Sequence, residues 1–260
     1  MATAVISDIH GNAVALKRVL DDIDERGIER VICLGDIIGY GPEPLACIDM
    51  VAQRCEWSLL GNHDFAVMYE PTNFNPGAAA AAYWTRAQFD AEPDEDKRRT
   101  RYQFLSSLRV RVAEKTSGNS TGFDLLAVHG SPRKPISEYI FPDDAVNAPE
   151  KIDSIMERVD RVCVVGHTHV PGVFTDEPDF YPPDELGEHG YKITNDEKAI
   201  INVGSVGQPR DMDPRASYVI LHADRVEFVR VEYDVTKTQK MVHTIPDLND
   251  WFGDRIVEGR

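Results

Sequence analysis

Apolar residues in this chain come in short runs that stop abruptly at glycine or a polar residue. Val31-Ile32-Cys33-Leu34 runs into Gly35-Asp36, and Ala4-Val5-Ile6 into Ser7-Asp8-Ile9-His10-Gly11-Asn12. Ser58-Leu59-Leu60 leads into Gly61-Asn62-His63-Asp64, Leu125-Leu126-Ala127-Val128 into His129-Gly130-Ser131, and Val162-Cys163-Val164-Val165 into Gly166-His167-Thr168-His169. Continuous, β-branched runs of this length predict strands buried on both faces. In an open α/β sheet, the carboxyl ends of such strands are where ligands sit. Each of these strand ends carries Asp, Asn or His, and Asp36 is the residue on which the others are expected to converge.

Between the runs the apolar period changes from continuous to helical. Leu16, Val19, Leu20 and Ile23 recur at i, i+3, i+4 and i+7, predicting a helix over Asn12 to Arg26, with Asn12 as its N-cap and Gly27 as its stop. A second helix is expected over Glu43 to Gln53, after the glycine-rich loop Ile37 to Pro42. Strand, helix, strand, helix, strand implies parallel pairing with right-handed crossovers.

From about residue 65 to residue 122 the pattern differs. An alanine run, an acidic patch (Glu92, Asp94, Glu95, Asp96) and a basic one (Lys97, Arg98, Arg99, Arg101) predict helices over roughly 76–90 and 97–107. The charge runs read as solvated faces. The segment is expected to be a helical, cap-like insertion in a single domain spanning 1–260, placed to act as a lid. The strand-end pattern then resumes with His129 and continues, across a helix around Pro149 to Arg158, to His167 and His169. Thr175 to Glu197 is polar and proline-rich and reads as a surface excursion. Ala199 to Val203 predicts a strand ending in Gly204-Ser205-Val206-Gly207-Gln208-Pro209-Arg210. Ser217 to His222 and Arg225 to Tyr233 read as an antiparallel pair around Ala223-Asp224.

Composition narrows the functions available. With 260 residues, 42% of them hydrophobic, the chain has ample material for a core. A net charge of -16 disfavours broad binding to nucleic acid or to an anionic membrane. A phosphate substrate remains compatible, because divalent cations reverse the sign of the field within one pocket. No apolar segment approaches the ~18 residues of a membrane span, and no signal peptide is read at the N-terminus. Cys33, Cys47, Cys55 and Cys163 form no C-x-x-C pair and are expected to be free thiols, as suits a cytoplasmic, reducing compartment. The oligomeric state is left open.

Gathered together, the strand-end side chains are Asp8, His10, Asp36, Asn62, His63, His129, His167 and His169, which include five of the eight histidines. Imidazole, carboxylate and amide oxygen suit borderline divalent ions such as Mn²⁺, Fe²⁺, Zn²⁺, Ni²⁺ or Co²⁺. Seven donors are too many for one tetrahedral ion and about right for two ions sharing a carboxylate.

In order, type and spacing the series Asp8-x-His10, Gly35-Asp36, Gly61-Asn62-His63-Asp64, His129 and Gly166-His167-x-His169 resembles the calcineurin-like metallophosphoesterase superfamily, in its compact prokaryotic branch. Singly these motifs are weak; all of them in order are highly specific. The resemblance implies an α/β/β/α sandwich of two mixed sheets flanked by helices. It implies Asp8, His10 and His169 as ligands of one metal, Asn62, His129 and His167 as ligands of a second, and Asp36 as the bridge. A hydroxide held between the two ions would then attack phosphorus. The resemblance also implies His63 as the group that stabilises the transition state or protonates the leaving group, with Asp64 orienting it and Asn62 beside the substrate. Small phosphomonoesters, phosphodiesters such as cyclic nucleotides, and dinucleoside polyphosphates are all handled by such a core.

One departure bears on substrate. The protein Ser/Thr phosphatase branch continues its bridging aspartate as G-D-x-V-D-R-G, whereas here Gly39 and Tyr40 occupy the positions of the second Asp and the Arg. Arg210, past another strand end, is a candidate replacement as a phosphate contact. For Tyr40, Asn73, Phe74 and Asn75 two readings stand, pocket lining and ordinary turn or packing roles, the second being the commoner. Trp57, Trp84 and Trp251 read as core or edge aromatics, and His189, His222 and His243 as ordinary surface or core residues. The competing function is a non-catalytic metal-binding scaffold with the same fold, which loss of a ligand or of His63 would favour. Every one of these residues is present.

Overall fold

A computed structural model describes residues 2–116, 121–187, 189–194 and 197–260. Parts of two expected segments, 117–120 of the insertion and 188 and 195–196 of the polar excursion, lie outside the described residues. The chain folds as two mixed six-stranded sheets packed face to face, with helices on their outer surfaces.

The first sheet is built on β1 (Thr3–Ile6), β2 (Arg30–Cys33) and β3 (Trp57–Ser58), which pair in parallel in the order β3-β2-β1. The crossovers are α1 (Ala13–Glu25) and α2 (Pro44–Arg54). Asn12 caps α1 by accepting from the Ala15 N–H at 3.1 Å. Leu16, Val19 and Ile23 form the buried stripe of α1, as the spacing predicts. The 65–122 region begins with α3 (Asn62–Met68), α4 (Pro76–Asp90) and α5 (Glu95–Ser107).

The helical part of that region stops at residue 107. Residues Arg111–Glu114 form β4, which pairs antiparallel with β5 (Leu125–Val128), so this end of the expected cap belongs to the second sheet. The edge strand was not foreseen because Val112 is its one buried side chain, which gives no run to detect. Nor is the whole basic run solvated. Arg101 is buried and its guanidinium reaches Asp49 on α2 at 2.8 and 2.6 Å, tying α5 to the second crossover.

The second sheet continues through α6 (Asp144–Asn147), α7 (Pro149–Met156), β6 (Val162–Val165) and β7 (Gly172–Thr175). Within the polar excursion lie two short strands, β8 (Phe180–Tyr181) and β9 (Tyr191–Lys192), which end opposite sheets. Next, β10 (Ala199–Asn202) pairs with β6 in parallel. The hairpin β11 (Ala216–Leu221) and β12 (Arg225–Val231) returns to the first sheet, β11 lying antiparallel beside β1. Two further helices, α8 (Val235–His243) and α9 (Trp251–Glu258), close the chain.

Val5, Ile32, Leu34 and Val219 of the first sheet meet Val164 and Ile201 of the second in the central apolar layer. Helices α1 and α2 cover one outer face, and α7 the other. None of the described helices is long and apolar enough to cross a membrane. The four cysteines are free, as expected.

Candidate metal centre

The carboxyl ends of β1, β2, β5 and β6 and the loop after β10 meet at one edge of the sandwich. Backbone hydrogen bonds stitch the loops together: the Asp8 N–H donates to Gly35 O, Ile9 and His10 to Asp36 O, Val206 to Ser7 O, and Gly207 to Asp8 O, all at 2.9–3.0 Å. This over-determination holds the backbone in a conformation L-residues avoid. Asp8, His10, Asp36, Tyr40, His167 and His169 all have φ between +49° and +68°. Each such residue costs about 1–3 kcal/mol, and clusters of them mark functional sites.

The motif glycines follow from the same crowding. A Cβ at Gly61 would lie 2.0 Å from Asp36 Oδ1, and one at Gly166 would lie 2.3 Å from Asp8 Oδ2. The carboxylates thus occupy the space a side chain would take.

Two groups of donors result. In one, His169 Nε2 lies 3.2 Å from Asp8 Oδ1 and 3.1 Å from His10 Nε2. In the other, His129 Nε2 lies 3.3 Å from Asp36 Oδ2, 3.2 Å from Asn62 Oδ1 and 3.2 Å from His167 Nδ1. Asp36 Oδ2 also faces His10 Nε2, at 3.7 Å, so one oxygen looks toward both groups. Its partner Oδ1 accepts from the His63 N–H at 2.8 Å.

This donor set fits divalent cations. His169 Nδ1 donates to Gln208 O at 2.6 Å and His129 Nδ1 to Leu34 O at 3.1 Å. In the neutral rings those bonds leave each Nε2 as a bare lone pair aimed into its group. Oxygens and lone pairs then converge without a proton between them, unless a ring is charged. Burial opposes that charge: it pushes His10 well below the usual histidine range, lowers His169 with help from Arg210, and takes His167 down to about 3. His129 is the exception. Burial acts against its charge, but the Asp36 carboxylate outweighs it and raises the ring to about 9. Asp36 is itself held well below the carboxylate range, burial being overcome by His129 and His63. Without a cation, then, an ion pair of His129 and Asp36 stands where one would bind.

His63 sits beside both groups, its ring 4.8 Å from that of His10, 4.3 Å from Tyr40 and 4.7 Å from Phe74. Burial takes it down to about 4, against the pull of Asp36, so the ring is neutral at pH 7. Its buried Nδ1 has no hydrogen-bond partner among the described residues. Asp64 is expected to orient this ring, and the hydrogen bonds of its carboxylate among the described residues go elsewhere. The Asp64 carboxylate accepts instead from the backbone N–H groups of Ile37 (2.9 Å), Ile38 (3.2 Å) and Gly61 (3.0 Å). As the third residue of α3 it caps its own helix and pins the turn after Asp36, which a neighbour in sequence reaches more readily than the adjacent side chain. Burial, assisted by Asp36, raises it to about 7.

Arg210 is brought to the site as expected. Its N–H donates to His169 O at 3.2 Å, its guanidinium to Gln208 Oε1 at 2.8 Å, and its buried Nε has no hydrogen-bond partner among the described residues. Tyr40, Asn73, Phe74 and Asn75 line a cleft together with Asn62, His63 and His167, and they have the ordinary roles as well: Asn75 caps α4 by accepting from the Ala78 N–H at 2.9 Å, and Tyr40 and Phe74 pack in the cluster around Phe252. Sequence reasoning missed three contributors. Tyr139 stacks on His167 with centroids 3.8 Å apart, Phe252 of α9 packs 4.8 Å from Tyr40, and Arg255 is lowered to about 10 by burial and by Arg210. Trp251 is not a core aromatic; it is half-exposed beneath the Arg255 guanidinium, 4.3 Å away.

Two β-sheets back to back, with histidines and carboxylates gathered at one edge, define the metallophosphoesterase class of fold. The chain belongs to the calcineurin-like phosphoesterase superfamily, whose domain model matches residues 1–225. It is 38% identical to an uncharacterised protein of Methanocaldococcus jannaschii, over 99% of this chain and 98% of that one. A metallophosphoesterase from Sphaerobacter thermophilus superposes with a TM-score of 0.79 at 35% identity, covering 100% of this chain and 99% of that one. A hypothetical protein from Pyrococcus horikoshii shares the fold, with a TM-score of 0.74 at 20% identity over 100% and 98% of the two chains.

Proposed function

We propose that this protein hydrolyses a phosphomonoester or phosphodiester of a small molecule, using two divalent cations. The observation that carries the reading is the overlap of three donor clusters, Asp8-His10-His169, His10-Asp36-His63 and Asp36-His129-His167, beside a cleft lined by Asn62, His63 and His167. Asp8, His10 and His169 would hold one cation, Asn62, His129 and His167 the other, with Asp36 shared between them. Such a pair, when bound, supplies Lewis acidity toward phosphoryl oxygens and an ionised water as nucleophile.

The chain's own groups do the rest. Neutral at pH 7, His63 serves as a hydrogen-bond donor to an oxygen gaining charge, rather than as an imidazolium. Asp64 is a positioning residue: through the N–H groups of Ile37 and Ile38 it fixes the turn that presents Asp36. Arg210, whose Nε has no hydrogen-bond partner among the described residues, is placed to take a phosphoryl oxygen that would otherwise face water. The aromatic walls exclude solvent from the leaving group's side.

The test is hydrolysis of p-nitrophenyl phosphate and bis-p-nitrophenyl phosphate by chelator-stripped protein resupplied with Mn²⁺, Ni²⁺, Co²⁺, Zn²⁺ or Mg²⁺. Turnover restored by a cation supports the reading, and the ratio of the two rates separates monoesterase from diesterase. Protein that binds two cations yet turns over neither ester overturns it in favour of a scaffold.

A further inference from the structure

The cleft beside the donor groups has a volume of about 560 Å³ and opens between the segment leading into α4 and the loop after β5. That size suits an organic ligand rather than a bare phosphate. Its walls are aromatic. From one segment come Phe65 and Phe74, and from the other Tyr139, whose ring lies within 19° of parallel to that of His167. Phe65 and Tyr139 are each 40% exposed. Each belongs to an exposed pair at the mouth: Phe65 with Tyr69 at 4.7 Å, and Tyr139 with Phe141 at 5.2 Å and nearly parallel. Large rings left in water around a cleft cost solvation and mark a surface that a ligand covers.

Charge defines that ligand further. Among the described residues lining the cleft there is no lysine or arginine, and Glu70 is the sole carboxylate. A second phosphate lying along these walls would find no cationic side chain among the described residues that line them, in a chain whose net charge is already -16. Besides its rings and Glu70, the cleft offers the uncharged hydrogen-bonding groups of Asn62, Thr72, Asn73, Asn75 and Ser137.

The geometry points to a subsite for a flat, uncharged aromatic ring carried by the leaving group of the phosphoester, stacked among Phe65, Phe74 and Tyr139. The inference rests on the phosphoesterase reading and deepens it by naming the substrate class. A nucleobase and a simple aryl group share this chemistry.

Matched pairs with the same kind of leaving oxygen separate stacking from leaving-group reactivity. They are AMP against ribose 5-phosphate, and benzyl phosphate against cyclohexylmethyl phosphate, each as the monoester and as its methyl diester. The expected result is a kcat/KM ratio of about tenfold or more for the ring-bearing member, equivalent to about 1.4 kcal/mol. A preference confined to the AMP pair identifies a nucleoside, and one confined to the benzyl pair a simple aryl group. In Phe65→Ala and Phe74→Leu the ratio should fall at least threefold; the exposure of Phe65 makes its truncation safe for folding. Ratios near one in both pairs overturn the inference and leave phosphoesterase activity standing. If no ester is hydrolysed with any cation, the phosphoesterase reading falls instead. Calorimetric titration of the same pairs then decides the subsite, equal affinity within each pair refuting it.

Discussion

Gly61→Ala isolates how tightly the strand ends are packed. The new Cβ would stand 2.0 Å from Asp36 Oδ1 and 2.3 Å from Asp36 N, with Leu59 and Gly35 closing the other side of the turn. Backbone cannot swing away as a flexible side chain can, so the Asp36 loop must move. Overpacking of this kind costs about 1–3 kcal/mol, and the N–H of His63 loses a charged acceptor, about 1.5–3 kcal/mol more. Against a typical stability of about 5–15 kcal/mol, a loss of about 3–6 kcal/mol is large. At about 2–4 °C per kcal/mol, Tm should fall by roughly 6–24 °C. Gly77→Ala is the control. It lies in α4, where a Cβ meets Phe252 at an ordinary 3.4 Å, and should stabilise by about 0.5–1 kcal/mol. Differential scanning calorimetry of both chelator-stripped variants decides the matter. A Gly61→Ala protein melting within about 2 °C of the parent would show that the carboxylate is not locked in place, and the reasoning fails.

Further outcomes follow from the site. Asp36→Asn should abolish turnover and release at least one equivalent of cation by elemental analysis; retained activity would remove Asp36 from the shared position. His63→Ala should keep both equivalents and lower kcat by about 10²–10⁴; loss of a cation would make His63 a ligand. Chelator-stripped protein should be acid-labile. His63 and His167 are depressed to about 4 and about 3, so from pH 6.5 down to about 4 the unfolded chain binds protons that the folded one refuses. Stability then falls by about 1.4 kcal/mol per pH unit for each ring. His10 and His169 act in the same direction. Asp64, raised to about 7, acts oppositely over this window and cancels about one ring, while His129, already charged when folded, adds no slope there. A flat urea midpoint between pH 7 and pH 4.5 would contradict this balance.

How much of this was legible beforehand depended on run length and chain separation. The buried strands announced themselves through continuous β-branched runs, and their ends through glycine followed by a donor. Strand β4 did not, because one buried Val112 in four residues carries no period. The terminal helices left a faint trace, Thr238 with Val242 and Phe252 with Ile256 at i, i+4. Nothing local, however, says that Phe252 will meet Tyr40 across more than two hundred residues of chain. The partners of Asp64 were not legible, since residues adjacent in sequence rarely hydrogen-bond side chain to side chain and the motif names no other. The carboxylate instead reaches backbone N–H groups near residue 37 that pattern reading does not see. Tyr139 lies in an irregular loop, where composition carries no signal of what the ring will face.

Pairing of β1 with β11 has a consequence for how the protein is made. Thr3 lies opposite Leu221, and the Asp8 loop is tied to Val206 and Gly207. On a ribosome, β1 must therefore wait for about two hundred further residues before its sheet can be completed. Closing so long a loop is slow, and the exposed edge of β1 is vulnerable to mispairing meanwhile. A cation arriving early would find Asp8 and His10 without His169, so capture of the metals should follow the docking of the β6 end and of the loop after β10 onto the Asp8 loop.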